Sequence, residues 1–132
     1  MALKITLKPH EKFILGGAVI VNGDAKSTFV VENDVPILRG KDIMTLSSAD
    51  TPCKKIYFTV QLMYIDERNL SEHHNTYWEL VKDVAEAAPS VRPMLKEISQ
   101  DILNSKHYQA LKLIKKLINY EREVMDRVRT AT

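Results

Sequence analysis

Asp50-Thr51-Pro52-Cys53-Lys54-Lys55-Ile56-Tyr57-Phe58-Thr59-Val60-Gln61-Leu62-Met63-Tyr64-Ile65 is the stretch on which the fold turns. Asp50-Thr51-Pro52 offers a helix cap followed by proline in the first turn, where the missing N–H costs nothing. Ile56, Val60, Met63 and Tyr64 then recur at helical spacing. The same stretch is rich in β-branched and aromatic residues, which favour strands. Helix is the preferred reading of residues 54–65 and strand the alternative. With helix chosen, the chain divides here into a β-rich part before and a helical part after.

Downstream, Ser71 is a candidate cap for a second helix, with Tyr77, Val81, Val84, Ala85 and Ala88 on its inner face and Pro89 as its stop. Ser90 is a candidate cap for a third, with Pro93 tolerated in the first turn and Met94, Leu95, Ile98 and Ile102 facing inward. Asn104-Ser105 interrupts the pattern. A long last helix follows over residues 106–129, with Leu111, Ile114, Leu117, Ile118, Met125 and Val128 as its apolar stripe.

Upstream, Leu3, Ile5 and Leu7 alternate with Lys4, Thr6 and Lys8, the period of a half-buried strand that Pro9 ends. Phe13 to Leu15 makes a second strand, and Gly16-Gly17 a turn. Ala18 to Val21 runs into Asn22-Gly23, a pair suited to the positive φ angles of a two-residue hairpin leading to a strand from Thr28 to Glu32. Pro36 to Arg39 makes a last, edge-like strand. The expected architecture is α+β: a small antiparallel β-sheet head in the N-terminal third, then a helical C-terminal bundle of about four helices. The division falls at residues 1–48 and 49–132, and the short junction predicts that the helical region packs on the head.

The 132 residues suffice for one core or two closely packed halves without disulfides or a structural metal. Hydrophobic content of 45% and charged content of 27% exclude a disordered chain. A net charge of +2 excludes a histone-like basic field but leaves room for a local basic site. Cys53, the single cysteine, excludes an internal disulfide and reads as a small buried apolar residue. The N-terminus alternates charged and apolar residues, unlike a signal peptide, and no apolar run approaches a membrane span. A cytoplasmic protein with no membrane association is expected.

Chemistry-bearing patterns are few. His73-His74 point about 100° apart on a helix and have no partner motif, so no metal site is expected. No Gly-x-Ser-x-Gly elbow or phosphate-binding Gly-x-x-x-x-Gly-Lys loop occurs, and no spacing pairs Cys53 with a histidine. The chain is expected to act by binding, not as an enzyme, and without a cofactor. Two cationic features remain. Lys112, Lys115 and Lys116 share one face of the last helix, within a stretch from Asp101 to Glu121 that holds no other acid. They read either as a secondary basic face for phosphates or as a solvated surface. Lys8 ends the first strand and Arg39 the last, a cationic rim suited to single-stranded RNA.

The stretch Leu3-Lys4-Ile5-Thr6-Leu7-Lys8-Pro9-His10-Glu11-Lys12-Phe13-Ile14-Leu15-Gly16-Gly17-Ala18-Val19-Ile20 resembles the start of the flagellin-synthesis repressor family FlbT. The resemblance continues through Asn22-Gly23, Val35-Pro36-Ile37-Leu38-Arg39-Gly40-Lys41-Asp42-Ile43-Met44, Pro52-Cys53-Lys54-Lys55-Ile56-Tyr57-Phe58 and Val60-Gln61-Leu62-Met63-Tyr64. It implies post-transcriptional control at the 5′ untranslated leader of flagellin mRNA, lowering translation or stability. In some bacteria the family's effect is positive. It also implies flagellin itself, or the companion regulator FlaF, as a further partner.

The head alone is similar to a second family, the carbon storage regulators, through His10-Glu11-Lys12-Phe13-Ile14-Leu15 and Val35-Pro36-Ile37-Leu38-Arg39-Gly40-Lys41-Asp42-Ile43. That likeness implies a strand-exchanged homodimer holding RNA between first and last strands. Arg39 stands at that family's RNA-contacting arginine, and Ile5, Thr6 and Lys8 at its first-strand contacts, with Lys41 in support. Leu7 stands where that family has a basic residue, and Gly40-Lys41 interrupts its acidic pair. The expectation is therefore an RNA-binding translational repressor, with Arg39 the principal side chain. The alternative is a protein-interaction module whose helices bind flagellin or a companion regulator. Its motive is the aromatic set Tyr57, Phe58, Tyr64, Tyr77 and Trp78, although rings at helical spacing usually pack inward.

Overall fold

The computed structural model describes residues 2–131, and the backbone alone at residues 67 and 131. It has an antiparallel β region followed by four α-helices, the α+β class expected. The chain separates into two compact units, Met1–Ile43 and Met44–Thr132.

The first unit holds β1 (Leu3–Leu7), β2 (Lys12–Leu15), β3 (Ala18–Val21), β4 (Ser27–Val31) and β5 (Ile37–Arg39). They form two antiparallel sheets, β1-β4 and β3-β2-β5. The expected hairpin at Asn22-Gly23 is corrected: β3 pairs with β2, Ile14 opposite Val19, while β4 pairs with β1, Ile5 opposite Phe29. The hairpin turn is instead Gly16-Gly17, between the paired Leu15 and Ala18. Gly16 has φ +60° at the first central position, where a II′ turn places glycine. Asn22 is used differently. Its side-chain amide donates to the carbonyls of Lys8 at 2.8 Å and Ala25 at 3.0 Å, and the Gly23 carbonyl accepts from the His10 amide at 2.9 Å. These bonds fasten the end of β3 to the β1–β2 loop. Ile5, Leu7, Phe13 and Val31 form the core cluster, with Leu15, Ile20, Phe29, Val35 and Ile37 packed against it.

The second unit holds α1 (Pro52–Ile65), α2 (Leu70–Ala87), α3 (Arg92–Leu103) and α4 (His107–Ala131). Residues 54–65 are helix, as preferred. Thr51 caps α1 by accepting from the Lys54 amide at 3.2 Å, with proline in the first turn. α1 packs on both α2 and α4, and α3 packs on α4. Buried positions on α1 include Ile56, Tyr57, Thr59, Val60, Gln61 and Met63, spread around the helix. That spread is why no clean apolar stripe marks it. Gln61 clamps the Met44 peptide, accepting from its amide at 2.8 Å and donating to its carbonyl at 2.9 Å.

Two expected caps are corrected. A 3₁₀ turn, Glu67–Asn69, leads into α2, which begins at Leu70, so Ser71 lies inside the helix. Asp66 Oδ2 accepts from Asn69 Nδ2 at 3.1 Å and lies 3.3 Å from His73 Nε2, tying that entry together. Ser90 lies inside a second 3₁₀ turn, Pro89–Val91, and its hydroxyl is 3.1 Å from that of Tyr120. Leu111, Ile114 and Leu117 of the α4 stripe are buried, but Met125 and Val128 are 45% and 62% exposed. Tyr57 and Tyr77 are core, whereas Trp78 is exposed and stands edge-on to Tyr77 at 5.1 Å. Burial pushes the Tyr77 hydroxyl up to about 12, against the opposing bond to Ser99 at 2.8 Å.

Candidate nucleic-acid interface

Three chain segments of the β unit, β1, the β1–β2 turn and β5, meet at Arg39. Strand alternation points Ile5 and Leu7 into the core and Thr6 outward, where its hydroxyl lies 3.2 Å from that of Thr28 on β4. Lys8 follows, exposed, and Lys8-Pro9-His10-Glu11 closes a turn in which the Glu11 amide donates to the Lys8 carbonyl at 3.1 Å. Pro9 occupies the position that wants its fixed φ. His10 sits at φ +61°, the left-handed region that a type II turn demands of its third residue. The turn delivers the Glu11 carboxylate back to the Lys8 amide, at 3.0 Å.

Arg39 ends β5 and reaches across to this turn. Its Nη2 donates to the Thr6 carbonyl at 2.6 Å and to Glu11 Oε2 at 3.0 Å, and its Nε donates to Glu11 Oε2 at 3.2 Å. One guanidinium thereby joins β1, the β1–β2 turn and β5, which belong to two different sheets. The Lys8 amide holds the Glu11 carboxyl below its ordinary range; burial opposes it, and the bond and charge of Arg39 add to the lowering. The Arg39 side chain stays 42% exposed and that of Glu11 19%, so the pair sits at the surface. Nη1 has no partner among the described residues. Gly40 follows immediately because only glycine fits: a Cβ there would lie 2.8 Å from the Lys12 carbonyl oxygen.

The structure thus brings Thr6, Lys8 and Arg39 together. Lys41 is exposed in the 3₁₀ turn Gly40–Asp42 directly after Arg39. Ile5 is 5% exposed, its side chain part of the core. Glu11 is the residue that sequence reasoning missed. Its signal was a carboxylate three residues after Lys8 across a proline turn, which can fold back on the Lys8 amide. Lys112, Lys115 and Lys116 are exposed on α4, in the helical unit, with Lys112 Nζ 4.8 Å above the Tyr108 ring.

Reactive groups elsewhere are quiet. Burial, and then the bond and charge of Glu121, push the Cys53 thiol up to about 12, which keeps it protonated and weakly nucleophilic. Among the described residues no cluster of three or more His, Cys, Asp or Glu side chains could hold a metal, and no helix is long and apolar enough to cross a membrane.

The fold is that of an α+β protein whose most developed polar site is an arginine held at a sheet edge. The chain belongs to the family described as flagellar protein FlbT, whose pattern matches residues 3–125. It is 46% identical over 125 residues to a "probable flagellum biosynthesis repressor protein FlbT 1" of Bradyrhizobium diazoefficiens, covering 94% of this chain and 85% of the relative. It is 42% identical over 123 residues to a "probable flagellum biosynthesis repressor protein FlbT" of Caulobacter sp. strain K31, covering 92% and 94%. A "flagellum biosynthesis repressor protein FlbT" of Caulobacter vibrioides is 38% identical over 130 residues, covering 97% and 92%. No solved structure matches the chain.

Proposed function

We propose that this chain represses flagellum biosynthesis after transcription, by binding the 5′ untranslated leader of flagellin mRNA through its β unit and lowering translation or stability. The repressor role follows the names of its relatives. The observation that carries the RNA reading is the presentation of Arg39, which Glu11 and Thr6 fix in place while leaving Nη1 and part of the guanidinium open. A pre-positioned guanidinium loses little freedom on forming a fork with a base edge or stacking on an unpaired base. Lys8, two residues after Thr6, and Lys41, two after Arg39, are both exposed and supply the salt-dependent attraction to phosphate, and Thr6 adds a hydroxyl on the outer face of β1. The action is steric and needs no catalysis or cofactor: RNA held at or near the ribosome-binding site is closed to ribosomes, and untranslated message is open to nucleases. The same work is done in the cytoplasm, where flagellin mRNA is translated.

Gel-shift titration of the purified chain against a flagellin leader tests the reading. Arg39→Ala should weaken binding by about 1–3 kcal/mol if the arginine reads a base edge. Affinity should also fall steeply as salt rises. An Arg39→Ala variant that binds as tightly as the parent removes Arg39 from the site. No affinity for the leader in the absence of helpers removes the RNA reading and leaves the helical unit, as a binder of flagellin or FlaF, to explain repression.

A further inference from the structure

The register of β1 with β4 sets Lys4 opposite Val30, Thr6 opposite Thr28 and Leu7 opposite Ser27. Side chains alternate between faces along a strand. With Ile5 and Leu7 turned into the core, Lys4, Thr6 and Lys8 share the outer face of this sheet with Thr28 and Val30 of β4. One step beyond the last pair stand Lys8 and Lys26, both exposed. The Asn22 side-chain amide ties the two chain ends together there, donating to the carbonyls of Lys8 and Ala25. At the middle of the face the Thr6 and Thr28 hydroxyls lie 3.2 Å apart. Arg39 borders it, since its Nη2 donates to the Thr6 carbonyl.

The face is cationic. β1 and β4 hold no acidic residue. Of the acids near them in sequence, Glu11 is bonded to Arg39 and the Lys8 amide, and Asp24 lies 3.2 Å from His10 Nε2. Glu32 follows β4, beyond the Lys4 end. Lys4 and Lys26 form no ion pair among the described residues. Like charges set opposite one another across a strand pair are destabilising, and an anion between Lys8 and Lys26 relieves that. We propose that single-stranded RNA held at Arg39 continues over this outer face, its phosphates met by Lys8, Lys26 and Lys4 and its riboses by the Thr6 and Thr28 hydroxyls. The site thereby gains Lys4, Lys26 and Thr28, an extension that rests on the RNA reading of the β unit. Paired hydroxyls on the floor of a cationic strip suit a ribonucleotide, whose 2′-OH both donates and accepts.

Titration of the full chain with a flagellin leader RNA over a range of salt tests it, with far-UV circular dichroism to check that each variant is folded. Each phosphate contact on a single strand adds about 0.7 to the steepness of log affinity against log salt. K4Q/K26Q should therefore lower that steepness by about 1.4, so that between ~50 and ~200 mM salt the parent loses about sevenfold more affinity than the variant. K82Q/K96Q removes the same charge from exposed positions of α2 and α3 and should leave the steepness at the parent value. If K4Q/K26Q does not fold, K26Q alone, in the loop before β4, decides through a fall of about 0.7. A K4Q/K26Q chain as salt-sensitive as the parent, where Arg39→Ala still weakens binding, overturns the extension and leaves the RNA reading standing. Equal falls in the two double variants overturn it as well, by reducing the effect to net charge. A parent that does not bind the leader removes the reading and the extension together.

Discussion

The two units of this chain hold themselves together by different means. The helical unit buries long apolar rows, with Ile56, Val60, Ile98 and Ile114 fully enclosed, and Thr59, Gln61 and Ser99 buried among them each form a hydrogen bond. The β unit has a core cluster of Ile5, Leu7, Phe13 and Val31, with Ile14 and Leu38 also buried, and its sheets are stitched at the edges by Asn22, Glu11 and Arg39. In this unit polar side chains at the sheet edges carry part of the fold. Arg39 is therefore both a brace and the most exposed cationic fork of the site, and changes that loosen one role touch the other.

The sharpest way to break this contrast is to empty a core position. Ile114→Ala, at a fully buried site on α4, should cost about 2–5 kcal/mol in chemical denaturation, the usual range for such truncations. RNA affinity of the fraction that remains folded should be unchanged. A loss of affinity in that folded fraction would mean the units are not separate in function. Gly40→Ala tests the β unit with a smaller change. Its new methyl would press on the Lys12 carbonyl oxygen, and overpacking of this kind costs about 1–3 kcal/mol. Because the strain falls beside Arg39, leader binding should weaken as well, and intact binding would detach Arg39 from its brace.

The smallest effect is one of acidity. The Glu11 carboxyl is held low in the folded chain, so its bonds contribute fully above the unfolded value and are lost as pH falls through the folded one. A carbon-detected titration of Glu11 should place its midpoint below that of an ordinary glutamate, and the Lys8 amide should lose exchange protection over the same interval. Arg39→Ala should move that midpoint upward. A Glu11 that titrates at its ordinary value in both chains would show that the brace does not persist in solution.

The same contrast explains what the sequence revealed. α2, α3 and α4 show their faces by period because each buries one side. α1 buries residues on most sides, so its residues left strand as a live alternative, and the cap at Thr51 decided the matter. In the β unit the alternation of Leu3 to Leu7 was plain, but pairing was not. Asn22-Gly23 has the composition of a hairpin turn, and its side-chain and main-chain bonds to the β1–β2 loop, invisible in local pattern, gave it another task. Ser71 and Ser90 failed as caps for a related reason: 3₁₀ turns shifted both helix starts. Lys8 and Arg39 were read as a rim because each ends a strand, whereas Thr6 came only from the likeness to the carbon storage regulators. Glu11 was not legible, since its role exists only once β5 has come to lie against β2.

One carboxylate in the helical unit bears on how the chain matures. Glu121 accepts from the Thr51 hydroxyl at 2.5 Å and the Cys53 amide at 3.1 Å, so the start of α1 is completed by a residue 70 positions later. A growing polypeptide must therefore present more than half of α4, through Glu121, before its first helix is properly seated. A ribosome that stalls or terminates before Glu121 releases a product whose opening turn lacks its anionic anchor, and quality-control proteases would find it there.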